Sequence, residues 1–233
     1  MPDSLVAMFA LTVAVADTPG VVWQSALIAW ILAVPLFFVT KFVLVIAHEG
    51  GHAIVGVALL NSIKRIVFNR EGGGGTEFVN APRWPLVILV GFAGYAGPSL
   101  FGLVAAWLLL HSHPEMVVWG SMAFLVLMLF AVRGWIGWVV VPLLLSVLFF
   151  VATRVEPGGL TLFAYVWTWF LLIAAVQRML VYLGAKTYLI EASDTARLAK
   201  ATLLPTELWA FAQLIGTSAA LVWGGSMLLR MPS

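Results

Sequence analysis

Two histidines, His48 and His52, stand four residues apart with Glu49 beside the first, in the order His48-Glu49-Gly50-Gly51-His52. On a helix that spacing puts both imidazoles on one face, where they can share a zinc ion, and leaves Glu49 next to the metal as a candidate catalytic base toward water. The chain has no cysteine. A metal here must therefore be held by histidine and carboxylate alone. Zinc needs at least one further protein ligand, with a fourth position left for water.

The surroundings of the motif are unusual for soluble chemistry. It lies within an apolar run from Leu36 to Leu60, in a chain that is 63% hydrophobic and 9% charged, with a mean hydropathy of +1.07. Globular domains are about 45–50% apolar and about 25% charged, so this composition describes a polytopic membrane protein in contact with the lipid bilayer. Two imidazoles and a carboxylate placed in lipid need partners, and one metal ion supplies a partner for all three. The net charge of +2 leaves no electrostatic footprint for nucleic acid.

The elements that must position the motif follow from the apolar runs. Val21 to Leu60 is long enough for one tilted or Pro35-kinked helix, and two shorter helices meeting near Pro35 also fit. Further spans are expected over Pro85–Leu110, Met116–Val132, Trp135–Thr153, Leu160–Leu183 and Thr206–Leu229, giving an all-α polytopic fold of about six transmembrane helices. The whole chain, residues 1–233, reads as a single transmembrane metalloprotease-like domain. Its first twenty residues are expected to form an interfacial or weak signal-like segment: the apolar run Leu5–Ala16 is short and ends in Ala14-Val15-Ala16, but no basic residue precedes it. Ile63–Phe68 and Thr76–Val79 flank Gly72-Gly73-Gly74-Gly75 and are rich in β-branched or aromatic residues. A Gly-rich hairpin and a flexible connector both fit that segment. As a hairpin, it would offer a strand edge on which an unwound substrate could be held extended.

Loop charge sets the expected orientation. Lys64, Arg65, Arg70, Arg83, Arg133, Lys186, Arg197 and Lys200 fall on one side and Arg154 and Arg230 on the other, which puts the first group in the cytoplasm. His52 is then about 12 Å below the cytoplasmic end of its helix, at 1.5 Å per residue.

Several residues compete to be the third ligand. His111 and His113 lie on the far side of the bilayer, close to a full membrane thickness from His52. Glu71, Glu77, Glu191 and Glu207 lie on the near side. So does Asp194, in Ser193-Asp194-Thr195-Ala196-Arg197-Leu198 at the start of a short amphipathic helix, where it reads equally as an N-cap or as a ligand. Gly91, Gly94 and Gly97 with Ala93 and Ala96 form a stripe without bulk, suited to close packing against Ala47, Gly51 and Gly56. Lys41 is expected to snorkel or to pair internally.

The apolar helix running into His48-Glu49-Gly50-Gly51-His52-Ala53, then Gly75-Thr76, then Gly94-Tyr95-Ala96-Gly97-Pro98, and later Ser193-Asp194 with Leu198, Pro205 and Trp209, resembles the site-2 protease family of intramembrane zinc metalloproteases, in its compact bacterial M-fifty-B-like subgroup. The resemblance covers roughly residues 36 to 215. It implies that His48, His52 and Asp194 are zinc ligands, that Glu49 is the catalytic base, that the substrate is a membrane-embedded segment of another protein, and that the chain lies in a bacterial cytoplasmic membrane. The Leu-Asp-Gly stretch that carries the acid in other members has no counterpart here. The longest polar loops, about twenty residues, hold no separate filtering domain. Substrate selection is then expected from the membrane part or from a membrane partner subunit. Two other classes use the same features: a metal-binding scaffold or chaperone that does not hydrolyse peptides, and a transporter, which would be expected to show paired broken helices in two similar halves.

Overall fold

A computed structural model of the chain describes residues 19–80 and 83–230. The expected N-terminal interfacial or signal-like segment falls almost wholly outside the described residues. The elements in chain order are α1 (Pro19–Ala33), α2 (Phe37–Ala58), β1 (Ile63–Phe68), β2 (Gly74–Phe78), α3 (Leu86–Leu110), α4 (Pro114–Ala131), β3 (Val132–Arg133), α5 (Trp135–Arg154), α6 (Pro157–Gly184), a single 3-10 turn (Thr187–Leu189), α7 (Asp194–Thr202) and α8 (Thr206–Leu228). Six of these, α2, α3, α4, α5, α6 and α8, are long and apolar enough to cross a membrane. The protein is an all-α polytopic membrane protein.

The run from Val21 to Leu60 divides into two helices. The chain turns through Val34-Pro35-Leu36, and Leu36 N–H reaches back to the Ile31 carbonyl at 3.1 Å. Proline lacks the N–H that a continuous helix would use there. Before the turn α1 packs chiefly on α6 and makes little contact with α2, so the single long helix is replaced by two helices that serve different neighbours.

Helix α3 is the centre of the bundle and packs on α2, α6, α7 and α8, while α4 and α5 pair with each other. The α2–α3 contact is close because small residues face each other. A Cβ on Gly51 would lie 2.3 Å from the Ala93 carbonyl oxygen, and one on Gly97 would lie 2.8 Å from the Ala47 carbonyl oxygen. The other small residues have separate tasks. Gly56 faces Phe78 of the hairpin and Gly91 faces Leu198 of α7.

The segment after α2 is a hairpin. It turns back along its own helix: Gly56 touches Phe78, Glu49 touches Gly74 and Thr76, and Lys41 touches Gly72. Lys41 lies seventeen residues before Ala58, about 25 Å along the helix axis, so the hairpin lines most of the length of α2. β1 pairs antiparallel with β2 (Val67 opposite Gly75, Phe68 opposite Gly74) and parallel with β3, in the order β2-β1-β3. β2 is thus an edge strand, and its residues border a cleft.

Candidate metal centre

Three side chains from two distant parts of the chain meet at one point. His48 Nε2 and His52 Nε2 are 3.2 Å apart, and Asp194 Oδ2 lies 3.0 Å from the first and 3.2 Å from the second. The helix supplies the first two by spacing alone. Asp194 is brought in by α7, which is seated through Leu198, fully buried against Gly91 of α3. The helix cap is provided by its neighbour: the Ser193 hydroxyl accepts from Ala196 N–H and donates to the Tyr188 carbonyl. That leaves the Asp194 carboxylate free to face the histidines.

The donor set fits a tetrahedral metal. An ion bonded at about 2.0–2.1 Å separates neighbouring donors by about 3.3–3.4 Å, close to the three edges observed. His48 and His52 are buried, at 4% and 6% exposure, so the donors are shielded from bulk water by the helices around them. His52 Nδ1 lies 2.7 Å from the Val90 carbonyl, which can only accept; Nδ1 therefore carries the proton and Nε2 presents its lone pair. His48 Nδ1 is buried with no hydrogen-bond partner among the described residues. Its ring is set instead by an edge contact with Tyr95, centroids 4.6 Å apart. Gly94 makes the triangle possible, since a Cβ there would lie 2.3 Å from His52 Nε2 and 2.8 Å from His48 Cε1.

Burial alone would raise the Asp194 carboxyl, but the His52 and His48 imidazoles beside it outweigh that and hold it well below the usual carboxylate range.

Glu49 is buried next to the triad and is gripped from the hairpin. The Thr76 hydroxyl lies 2.8 Å from Glu49 Oε2 and 3.2 Å from its backbone carbonyl, while Gly74 is so close that a Cβ would meet Oε1 at 2.6 Å. This use of Thr76 has no signature in residue spacing; only the hairpin folding back onto α2 creates it. Glu49, the two histidines and Asp194 all line a cleft of about 970 Å³ between α2 on one side and α6 and α7 on the other, with Tyr95 of α3 and the β2 edge completing it.

The other ligand candidates do not join the triangle, although Glu71 and Glu77 border the same cleft. Glu77 is drawn below its ordinary value by the Arg65 guanidinium 2.7 Å away, across β1 and β2. Glu191 pairs with Lys200, and Glu71 and Glu207 are exposed. His111 bonds the Trp107 carbonyl and His113 approaches Glu115, both at the opposite end of α3 from Val90. Among the described residues, His48, His52 and Asp194 form the one group of three or more such side chains arranged to hold a metal.

No curated protein and no solved structure matches the chain. The model of one family does, over residues 20–224, a stretch that contains α2, the hairpin, α3 and α7 and hence every residue of the centre. The chain is a member of the Peptidase M50B-like family, a family of membrane metallopeptidases.

Proposed function

We propose that the protein is an intramembrane zinc metalloprotease that hydrolyses a peptide bond in or near a transmembrane segment of a substrate protein. The observation that carries this reading is the triangle of His48 Nε2, His52 Nε2 and Asp194 Oδ2 opening on the same cleft as Glu49.

In this reading His48, His52 and Asp194 hold the zinc. When bound, zinc polarises the scissile carbonyl and acidifies water. Glu49, aimed by Thr76, takes the proton from the attacking water and delivers it to the leaving amine, so that water adds across the broken C–N bond. The unpaired edge of β2 receives the substrate in extended form through main-chain hydrogen bonds, which answers the problem that a peptide bond inside a helix is closed to attack. His48, Glu49 and His52 are buried, which limits the access of bulk water to the reacting groups. The basic residues of the connecting loops support a site near the cytoplasmic face of the membrane; that this is a bacterial cytoplasmic membrane is supported only by the family resemblance. A membrane partner subunit is a candidate source of substrate selection.

The test combines metal content with cleavage. Purified protein is expected to carry about one zinc per chain. His48→Ala and Asp194→Ala should each lose it, whereas Glu49→Gln should keep the zinc and stop cleavage of single-span membrane peptides in nanodiscs. Unchanged zinc in both ligand variants would overturn the site. Unchanged cleavage by Glu49→Gln would overturn the mechanism.

A further inference from the structure

Besides the exposed Arg197, two cations line the cleft, Lys41 and Arg178, and neither meets a carboxylate among the described residues. Lys41 of α2 donates to the Glu71 carbonyl at 2.8 Å and Arg178 of α6 donates through Nη1 to the Gly72 carbonyl at 3.3 Å. Arg178 Nε is buried with no partner among the described residues. Nor does either side chain form an ion pair among the described residues: of the carboxylates that line the cleft, Glu77 is occupied by Arg65 and Lys64, Asp194 by the histidines and Glu49 by Thr76, while Glu71 is exposed and pairs with neither cation. A lysine offers three N–H donors and an arginine five, so one carbonyl each leaves most of that capacity unspent. Cations on spanning helices are costly unless an anion meets them. If holding the hairpin tip were the whole task, neutral amides would do it without the cost of charge.

From these contacts we propose that Lys41 and Arg178 form a subsite for an acidic side chain of the substrate; the proposal rests on the proteolytic reading above. Its position along the substrate follows from the hairpin. Glu49 touches Gly74 and Thr76, and Lys41 touches Gly72, on the same strand or its turn. A strand added to the β2 edge advances about 3.3 Å per residue, which sets the acidic residue about two to four residues from the bond that is cut. The substrate class is therefore an otherwise apolar membrane segment with one carboxylate near the scissile bond. Such a carboxylate is poorly accommodated in lipid, so its segment gains by leaving the bilayer interior for the cleft.

The experiment measures binding without turnover. Full-length Glu49→Gln protein in phosphatidylcholine nanodiscs is titrated with fluorescent 25-residue Leu/Ala peptides that carry a single Glu at successive positions, each with a Gln twin. A Glu peptide at one register is expected to bind about ten-fold tighter than its twin, as for a charge-assisted hydrogen bond. In the background of Lys41→Gln with Arg178→Gln the ratio should fall to about one. Glutamine keeps an N–H for each hairpin carbonyl, and amide exchange over residues 63–78 checks that the hairpin is retained. Equal binding of the twins at every register overturns the subsite, as does a ratio that survives the double substitution. Loss of the Glu preference on adding phosphatidylglycerol would assign the two cations to a lipid phosphate and also overturn it. The two readings fail separately. A preserved Glu preference in a protein without zinc or cleavage sinks the protease and spares the subsite, and cleavage of Glu and Gln peptides alike does the reverse.

Discussion

Thr76 shows how much of the chemistry rests on a residue that touches no metal. Its hydroxyl is 2.8 Å from Glu49 Oε2, so it orients the carboxylate that must exchange a proton with water and amine in turn. Groups that orient a reacting side chain in this way are worth about 10- to 100-fold in metal affinity or activity when removed. Thr76→Val should therefore lower kcat by about that factor, with zinc content unchanged and with Thr76→Ser restoring most of the rate. A loss of zinc in Thr76→Val would show that the contact is merely structural. Gly94 makes the complementary case. Because a Cβ would lie 2.3 Å from His52 Nε2, Gly94→Ala should abolish zinc retention while leaving the helical circular dichroism near that of the wild type. Full zinc occupancy in that variant would mean that the two histidines can move apart and that the triangle is not rigid.

Elements explain which parts of this site could be seen in advance. The His48–His52 helix and the later spans were legible because apolar runs bounded by polar or Pro-containing turns have few alternatives; the observed Trp135–Arg154 and Thr206–Leu228 differ from expectation by one residue at an end. The break at Pro35 was legible only as an alternative, because both flanks are apolar and what separates the helices is their choice of partner. The hairpin's reach was not legible. Asn69, Arg70, Glu71 and four glycines look like a solvated loop, and the sequence carries no sign that their carbonyls are taken by Lys41 and Arg178 from two other helices. Asp194 was ambiguous for a similar reason: cap and ligand begin the same way, and Ser193 taking the cap is visible only in three dimensions. The small-residue face of α2 gives a prediction on this scale. Alanine is normally better than glycine in a helix by about 1 kcal/mol. At Gly51 the sign should reverse, because the new methyl would press on the Ala93 carbonyl oxygen and the Gly97 Cα, backbone atoms that cannot turn aside. Gly51→Ala is expected to cost about 1–3 kcal/mol, as overpacking of a close interface does, measured by unfolding in detergent. A stabilised variant would refute the close-packing account.

The molecule as a whole is joined by the site it houses. His48 and Asp194 are 146 residues apart, and the helix that carries Asp194 is only nine residues long, seated on α3 by Leu198 and at its far end by Trp84, whose indole N–H donates to the Ala201 carbonyl at 3.0 Å. A short helix of that kind has little stability of its own. A metal bonded to both α2 and α7 would fasten it to the bundle, and a ligand that binds only the folded state adds stability by mass action, about 4 kcal/mol at 1,000 times its Kd. Zinc removal by a chelator should accordingly lower the melting midpoint of the wild-type protein and raise amide exchange across residues 187–202 ahead of the rest of the bundle. Restoring zinc should reverse both. In Asp194→Ala, where the link between the two ends of the chain is cut, the same chelator should leave the midpoint and the exchange pattern unchanged. An equal chelator effect in wild type and Asp194→Ala would mean that the stabilising metal sits elsewhere, and that the three donors meet in the bundle without being joined through an ion.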